Sequence, residues 1–259
     1  MSLFSQIAPA KTADEVAHQI EALVLEGILR VGDQLPGERE LASTTGVSRP
    51  TVREGIKALE QRGILERRQG GGTFVADVIG TMFSPQIISI LPSHKKATLD
   101  YLEFRREFEG SCAAFAASRA TELDRELLSD LMQKMEQISE DPAKEGAVDV
   151  EFHSLIGEMA HNLVMLHTMR SCYRLLSAGV FENRERLYSI SGSREKLLSQ
   201  HRAIYDAIMA KEPEKARSAS QAHIDFICEQ TILLETLDER DRIAKLRSET
   251  RKSNFRIED

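Results

Sequence analysis

The chain has 259 residues, 29% charged and 5% aromatic with no tryptophan, a helix-rich globular profile long enough for two domains with separate cores. Cys112, Cys172 and Cys228 lie far apart, which argues against a disulfide framework or thiolate zinc site. No run of about eighteen apolar residues exists to span a bilayer, so a cytoplasmic location without membrane contact is expected. A formal net charge of -7 opposes phosphate binding by the surface at large, so a nucleic-acid role needs Lys and Arg concentrated locally.

Thr12 and Glu15 predict a capping box, followed by an amphipathic helix to about Gly27 that buries Val16, Ile20, Leu23, Val24 and Ile28. Gly32 and Pro36 mark a turn, and the short helix ERELASTT ends at Gly46. Ser48 is suited to cap a third helix, whose first turn tolerates Pro50 and whose stripe is Val52, Ile56 and Leu59. Two short helices across a tight glycine turn form a helix-turn-helix, the unit that docks in a major groove. Arg49, Arg53, Lys57, Arg62, Arg67 and Arg68 outnumber Glu54, Glu60 and Glu66 over this stretch. Alone, such a run reads as a solvated face with i,i+4 pairs; beside a helix-turn-helix it acquires a target.

Residues 64–67 and 73–76 predict two short strands joined by a glycine-rich tip, Gly70 to Gly72, which together form a wing. A phosphate-cradling nucleotide loop is disfavoured, because no Lys-Ser/Thr follows and no helix opens there. Gln69 at the tip is placed to reach a base edge or a phosphate.

Residues 77–97, broken by Ser84-Pro85 and Pro92-Ser93, predict a linker containing one short helix. Helical periodicity then covers 98–119, 122–140, 147–161, 163–190, 194–211 and 213–237, before a charged tail over 238–259. The fold class expected is mainly α. It comprises an N-terminal winged helix-turn-helix over 1–76, with three helices and a two-stranded wing, and an all-α antiparallel helical bundle over 98–237.

Among seven histidines, His153 lies four residues after Asp149, so both can point at one spot on a helix. His201 in LLSQHRAIYDAI and His223 in ASQAHIDFI sit in apolar helical surroundings, where an inward histidine needs a polar partner. Separately they read as a surface ion pair and satisfied core histidines. Converging, they make a carboxylate and three imidazoles, a ligand set for a first-row divalent ion. His161 and His167 are expected to be structural.

The string LPGERELA followed by GVSRPTVREGIKALEQRGILERRQGGGTFV resembles the winged helix-turn-helix of GntR-family bacterial regulators of the FadR-like branch, over about residues 12–76. The resemblance implies DNA contacts from Arg39 in the second helix, from Ser48, Arg49, Thr51 and Arg53 in the third, and from Gln69 and Gly70 in the wing. Gly37 stands where Pro or Ser is common and Gly55 where Ala is usual. A helix-interior glycine costs ~1 kcal/mol against alanine, so a slightly soft third helix is expected.

The second half resembles the helical FCD domain that accompanies such winged helices. That resemblance makes Asp149, His153, His201 and His223 ligands of a divalent ion, zinc first, with nickel and manganese as alternatives. It also assigns Arg105 to gripping an effector carboxylate, against the plainer reading of an i,i+4 pair with Glu109. The expected function is a DNA-binding repressor that dimerises on a palindromic operator and responds to a small 2-hydroxy or 2-oxo acid such as lactate or pyruvate. A regulator for which the ion is the signal is one alternative. A metal-dependent hydrolase is the other, disfavoured because no additional base motif accompanies the ligands. No enzyme activity is expected.

Overall fold

The computed structural model describes residues 12–68, 71–78, 83–91, 94–138, 141–177, 186–187 and 190–254. Two compact units result, Met1–Met82 and Phe83–Asp259. No helix among the described residues is long and apolar enough to cross a membrane.

The first unit contains α1 (Ala13–Leu25), α2 (Glu38–Thr45), α3 (Arg49–Gln61), β1 (Leu65–Arg68) and β2 (Gly72–Val75). The strands pair antiparallel with Leu65 opposite Val75 and Arg68 opposite Gly72, one residue from the expected bounds at each strand. Leu65 and Val75 turn inward and join Val16, Ile20, Val52, Ile56 and Leu59 in one core. Ahead of α2, the Leu35 N–H donates to the Thr73 carbonyl and the Gln34 side chain donates to Gly71 O at 2.7 Å, bracing the wing.

Three local expectations need correction. Thr12 stands at the α1 N-cap without a side-chain capping bond; the Glu15 N–H donates to its backbone carbonyl instead. Gly27 adopts φ 73° and turns the chain, so Leu29 is buried while Ile28 is 49% exposed. Gly55 marks close packing and not softness: a Cβ there would lie 2.7 Å from the Ala13 carbonyl oxygen and 3.1 Å from Val16 Cβ, so α3 can approach α1 only with glycine at this position.

The second unit contains α4 (Pro85–Ile90), α5 (Lys95–Arg119), α6 (Glu122–Gln137), α7 (Pro142–Met159), α8 (Leu163–Ser177), α9 (Ser193–Met209) and α10 (Pro213–Asn254). Helix α5 packs on α7, α9 and α10, and α6 packs on α7 and α9. Thr121 and Asp124 form a reciprocal capping box at α6. Helix α7 starts earlier than its periodicity suggests, because Asp141 accepts from the Lys144 N–H and Pro142 occupies the first helical turn. Helix α10 continues through the charged tail to Asn254. The helix expected over 163–190 is described to Ser177, and 178–185 lie outside the described residues.

Candidate functional site

The face formed by α2, α3 and β1 collects the basic side chains. Ser48 is exposed at the α3 N-cap, where its Oγ accepts from the Thr51 N–H at 3.3 Å and meets Thr51 Oγ1 at 2.8 Å. Arg39, Arg49 and Arg53 are exposed. Gln69 and Gly70 lie outside the described residues.

Sequence spacing gave no hint of Glu38, whose carboxylate takes Arg53 on both oxygens, through NH2 at 2.7 Å and Nε at 3.1 and 3.2 Å. Arg67 of β1 stands 3.6 Å from the same carboxylate. The Arg53 hydrogen bond, with the charges of Arg67 and Arg49, holds Glu38 below the usual carboxylate range against the opposing effect of burial. One acid thus ties α2, α3 and the wing, and its partner is fifteen residues away, beyond any helical repeat.

In the second unit, α7 supplies Asp149 and His153 from successive turns, α9 supplies His201 and α10 supplies His223. All four side chains are buried, and one ligand atom from each lies within 4.8 Å of the others. His153 Nε2 faces His201 Nε2 at 3.3 Å, and Asp149 Oδ1 is 3.1 Å from His201 Nε2. Phe152 packs edge-on against the His153 and His201 rings.

The outer nitrogens have partners that orient these rings. His223 Nδ1 donates to Gln200 Oε1 at 3.2 Å, and His153 Nδ1 lies 3.1 Å from Glu109 Oε2. Both arrangements leave the Nε2 lone pair pointing inward, as in the carboxylate–histidine pairs that orient metal ligands. His223 Nε2 is buried and meets no hydrogen-bond partner among the described residues. Burial first, then the neighbouring His201 and His153, push His223 well below the ordinary histidine pKa and keep it neutral. A buried, neutral, unsatisfied imidazole nitrogen facing two further imidazoles and a carboxylate fits a divalent cation.

Arg105 is 1% exposed and adjoins this cluster through Glu109. Its Nε donates to Glu109 Oε1 at 2.6 Å and its NH2 donates to the Tyr173 hydroxyl at 3.2 Å, while Tyr173 donates to the same Glu109 oxygen at 3.1 Å. Burial works to raise the Glu109 pKa, but the charge of Arg105, with the contacts from His153 and Arg105, outweighs it and holds the carboxyl well below the usual range. The i,i+4 pairing of Arg105 with Glu109 was visible in the sequence; the reach of Glu109 across to α7 and α8 was not. His161 stands apart, 2.9 Å from Asp124 at the surface, and His167 is not among the clustered ligands.

A cavity of about 300 Å³ opens beside Asp149 and His201. Met135, Ile138, Val148, Leu197 and Leu198 line it, together with Glu145, Arg194 and Glu195.

These features define a winged-helix DNA-binding protein with a helical companion domain that contains a buried Asp/His cluster able to hold a metal ion. Residues 12–75 match the profile of bacterial regulatory proteins of the gntR family, and residues 100–226 match the FCD domain. The chain belongs to the GntR family of transcriptional regulators, in its FCD-containing branch. It is 37% identical over 225 residues to the putative L-lactate dehydrogenase operon regulatory protein of Escherichia coli K12, covering 85% of this chain and 86% of that one. It is 31% identical over 214 residues to the Glc operon transcriptional activator of the same organism, covering 81% and 84%. The solved structure of Streptococcus agalactiae GntR superposes with a TM-score of 0.54 at 29% identity, covering 84% of this chain and 99% of that one. These proteins regulate transcription and are not enzymes, which removes the hydrolase alternative.

Proposed function

We propose that the chain works in the cytoplasm as a homodimeric repressor whose grip on a palindromic operator is released by a small 2-hydroxy or 2-oxo acid, such as lactate or pyruvate. The observation that carries the sensing part is the convergence of Asp149, His153, His201 and His223 from three helices on one buried point. The wording of the lactate operon relative's name favours a lactate-like effector.

Residues 1–76 are the reading head in this account, 77–97 the linker, 98–237 the sensing domain and 238–259 a tail. Arg39, Ser48, Arg49, Thr51 and Arg53 approach the major groove from α2 and α3, and Gln69 with Gly70 enters the adjacent minor groove. Arg49 and Arg53 supply charge for phosphate contact and donors for guanine edges.

In the sensing domain, the four buried ligands suit zinc, with nickel or manganese as substitutes. A bound divalent ion supplies Lewis-acid attraction for a carboxylate and its neighbouring oxygen. Glu109 and Gln200 keep the rings of His153 and His223 turned toward it, and Arg105 offers a planar fork for the effector carboxylate. Release follows because the acid binds better to the protein conformation that reads DNA poorly.

The test is operator binding by the zinc-loaded full chain, using DNA selected from a random pool, with and without lactate or pyruvate. Weaker binding in acid supports the release model, and unchanged affinity contradicts it. A response to zinc alone makes the ion the signal instead.

A further inference from the structure

Glu38 opens α2, where the helix dipole favours an acid, and it is better covered than the arginine it holds: its side chain is 20% exposed, against 59% for Arg53. The carboxylate is therefore the fixed member of the pair and the guanidinium the presented one. Arg53 follows Arg49 by four residues, so both stand on one face of α3, within its first two turns.

The way Glu38 holds Arg53 decides which donors are left over. A guanidinium carries five N–H groups. The carboxylate takes those on one edge, with Nε donating to both oxygens and NH2 donating to Oε2 at 2.7 Å. NH1 meets no hydrogen-bond partner among the described residues. The outer edge, formed by NH1 and the second NH2 hydrogen, therefore keeps two parallel donors, the pattern that matches the O6 and N7 acceptors of guanine in the major groove. A phosphate is the poorer match, because the Glu38–Arg53 pair carries no net charge and would bring a carboxylate toward the DNA backbone. Arg67 is paired with acid in the same way, 3.6 Å from Glu38 and 3.4 Å from Glu60. An arginine already held in place also loses less side-chain freedom when it docks than one waving in solvent.

We propose that Glu38 is a positioning residue for sequence reading: it holds Arg53 by one edge so that the other reads a guanine, and it withholds Arg53 from indiscriminate phosphate contact. This inference rests on the reading of α3 as the helix that enters the major groove. Arg53 is thereby a specificity residue, and Glu38 acts through it without touching DNA.

The experiment selects an operator from a random duplex pool with the native full chain. Affinity is then measured for every single-base-pair variant of that operator, using the native chain, Glu38→Gln and Arg53→Ala. The native chain prefers guanine at one position per half-site by about tenfold or more, as a bidentate arginine contact implies, and Arg53→Ala flattens that position. Glu38→Gln reduces the same preference to about threefold or less and leaves the other positions as they were, while its affinity for a scrambled duplex rises because the face has lost an acidic charge. A merely structural role for Glu38 weakens binding to all duplexes together and leaves the base preferences intact, a result that overturns the proposal. An Arg53→Ala chain that keeps every preference also overturns it, by assigning Arg53 to phosphate. So does a Glu38→Gln chain that binds the operator more tightly with its guanine preference intact, because Glu38 is then a brake on Arg53 and not its guide. A native chain that selects no sequence refutes the reading-head account underneath, and this inference falls with it.

Discussion

Replacing Glu109 by glutamine separates its two roles, because an amide has one acceptor where the carboxylate has two. In the native protein, Oε1 accepts from Arg105 and Tyr173, and Oε2 faces His153 Nδ1. If the amide nitrogen takes the Oε2 position, it confronts the Nδ1 proton and drives His153 to the tautomer with its proton on Nε2, where the ion needs a lone pair. If it takes the Oε1 position, it confronts the Arg105 Nε–H; in either orientation the buried guanidinium loses its counter-charge, because glutamine is neutral. Loss of such an orienting partner lowers metal affinity about 10–100-fold, or roughly 1.4–2.7 kcal/mol. Leaving the arginine uncompensated costs roughly 3–5 kcal/mol at most, since the glutamine oxygen retains part of the contact. At 3 kcal/mol, the melting temperature of a domain this size falls by roughly 6–12 °C. Zinc affinity is measured by competition with a chromogenic chelator, and stability by circular dichroism of the metal-free chain. A Glu109→Gln protein that keeps both its zinc affinity within about twofold and its wild-type melting temperature refutes the reasoning, because either orientation of the amide loses one of the two contacts.

Other perturbations test the packing and the helix ends. Gly55→Ala gains ~1 kcal/mol in helix propensity but drives a methyl group into the Ala13 backbone, an overpacking of about 1–3 kcal/mol, so net destabilisation of the reading head is expected in urea melts. A stabilised variant would mean that α1 and α3 are not so close. Arg125 is buried and donates to the carbonyls of Ala117 and Ala120 at the end of α5 and of Ile208 near the end of α9; Arg125→Met should cost about 2–4 kcal/mol by thermal denaturation, and a neutral result removes it as a clamp. Burial works to raise the Asp124 pKa, but bonds from Thr121 and His161 prevail and depress it. Its contribution is therefore complete above the unfolded carboxylate pKa of about 3.9 and is lost as pH falls through the lower folded value. The stability gap between wild type and Asp124→Asn should close in strong acid, and a gap that persists there contradicts the assignment.

Much of the reading head was legible because its signals are local. Ser48 at the N-cap, the stripe of Val52, Ile56 and Leu59, and the glycine-rich turns all act within a few residues of where they stand. What stayed hidden depends on contacts between distant segments. Gly55 looks like a weak point until the Ala13 carbonyl is placed against it, and Glu38 looks like an ordinary first-turn acid until Arg53 and Arg67 reach it. Ile28 fits the helical repeat of α1, but Gly27 breaks the repeat first and hands the buried position to Leu29.

The cluster was legible to a lesser degree. Spacing on one helix brings Asp149 and His153 together, whereas bringing in His201 and His223 requires the packing of α7, α9 and α10, which family resemblance supplied in place of periodicity. Neither route pointed to Gln200 or Tyr173, whose hydroxyl and amide groups matter only once the rings they serve have been positioned.

The most direct test is the metal content of the full-length chain after equilibration with zinc and gel filtration, for wild type and for His153→Ala combined with His223→Ala. The wild type should retain one ion per chain and the double variant essentially none, with its winged-helix unit still folded by circular dichroism. Equal retention by both, or none by the wild type, contradicts a buried metal site at these residues.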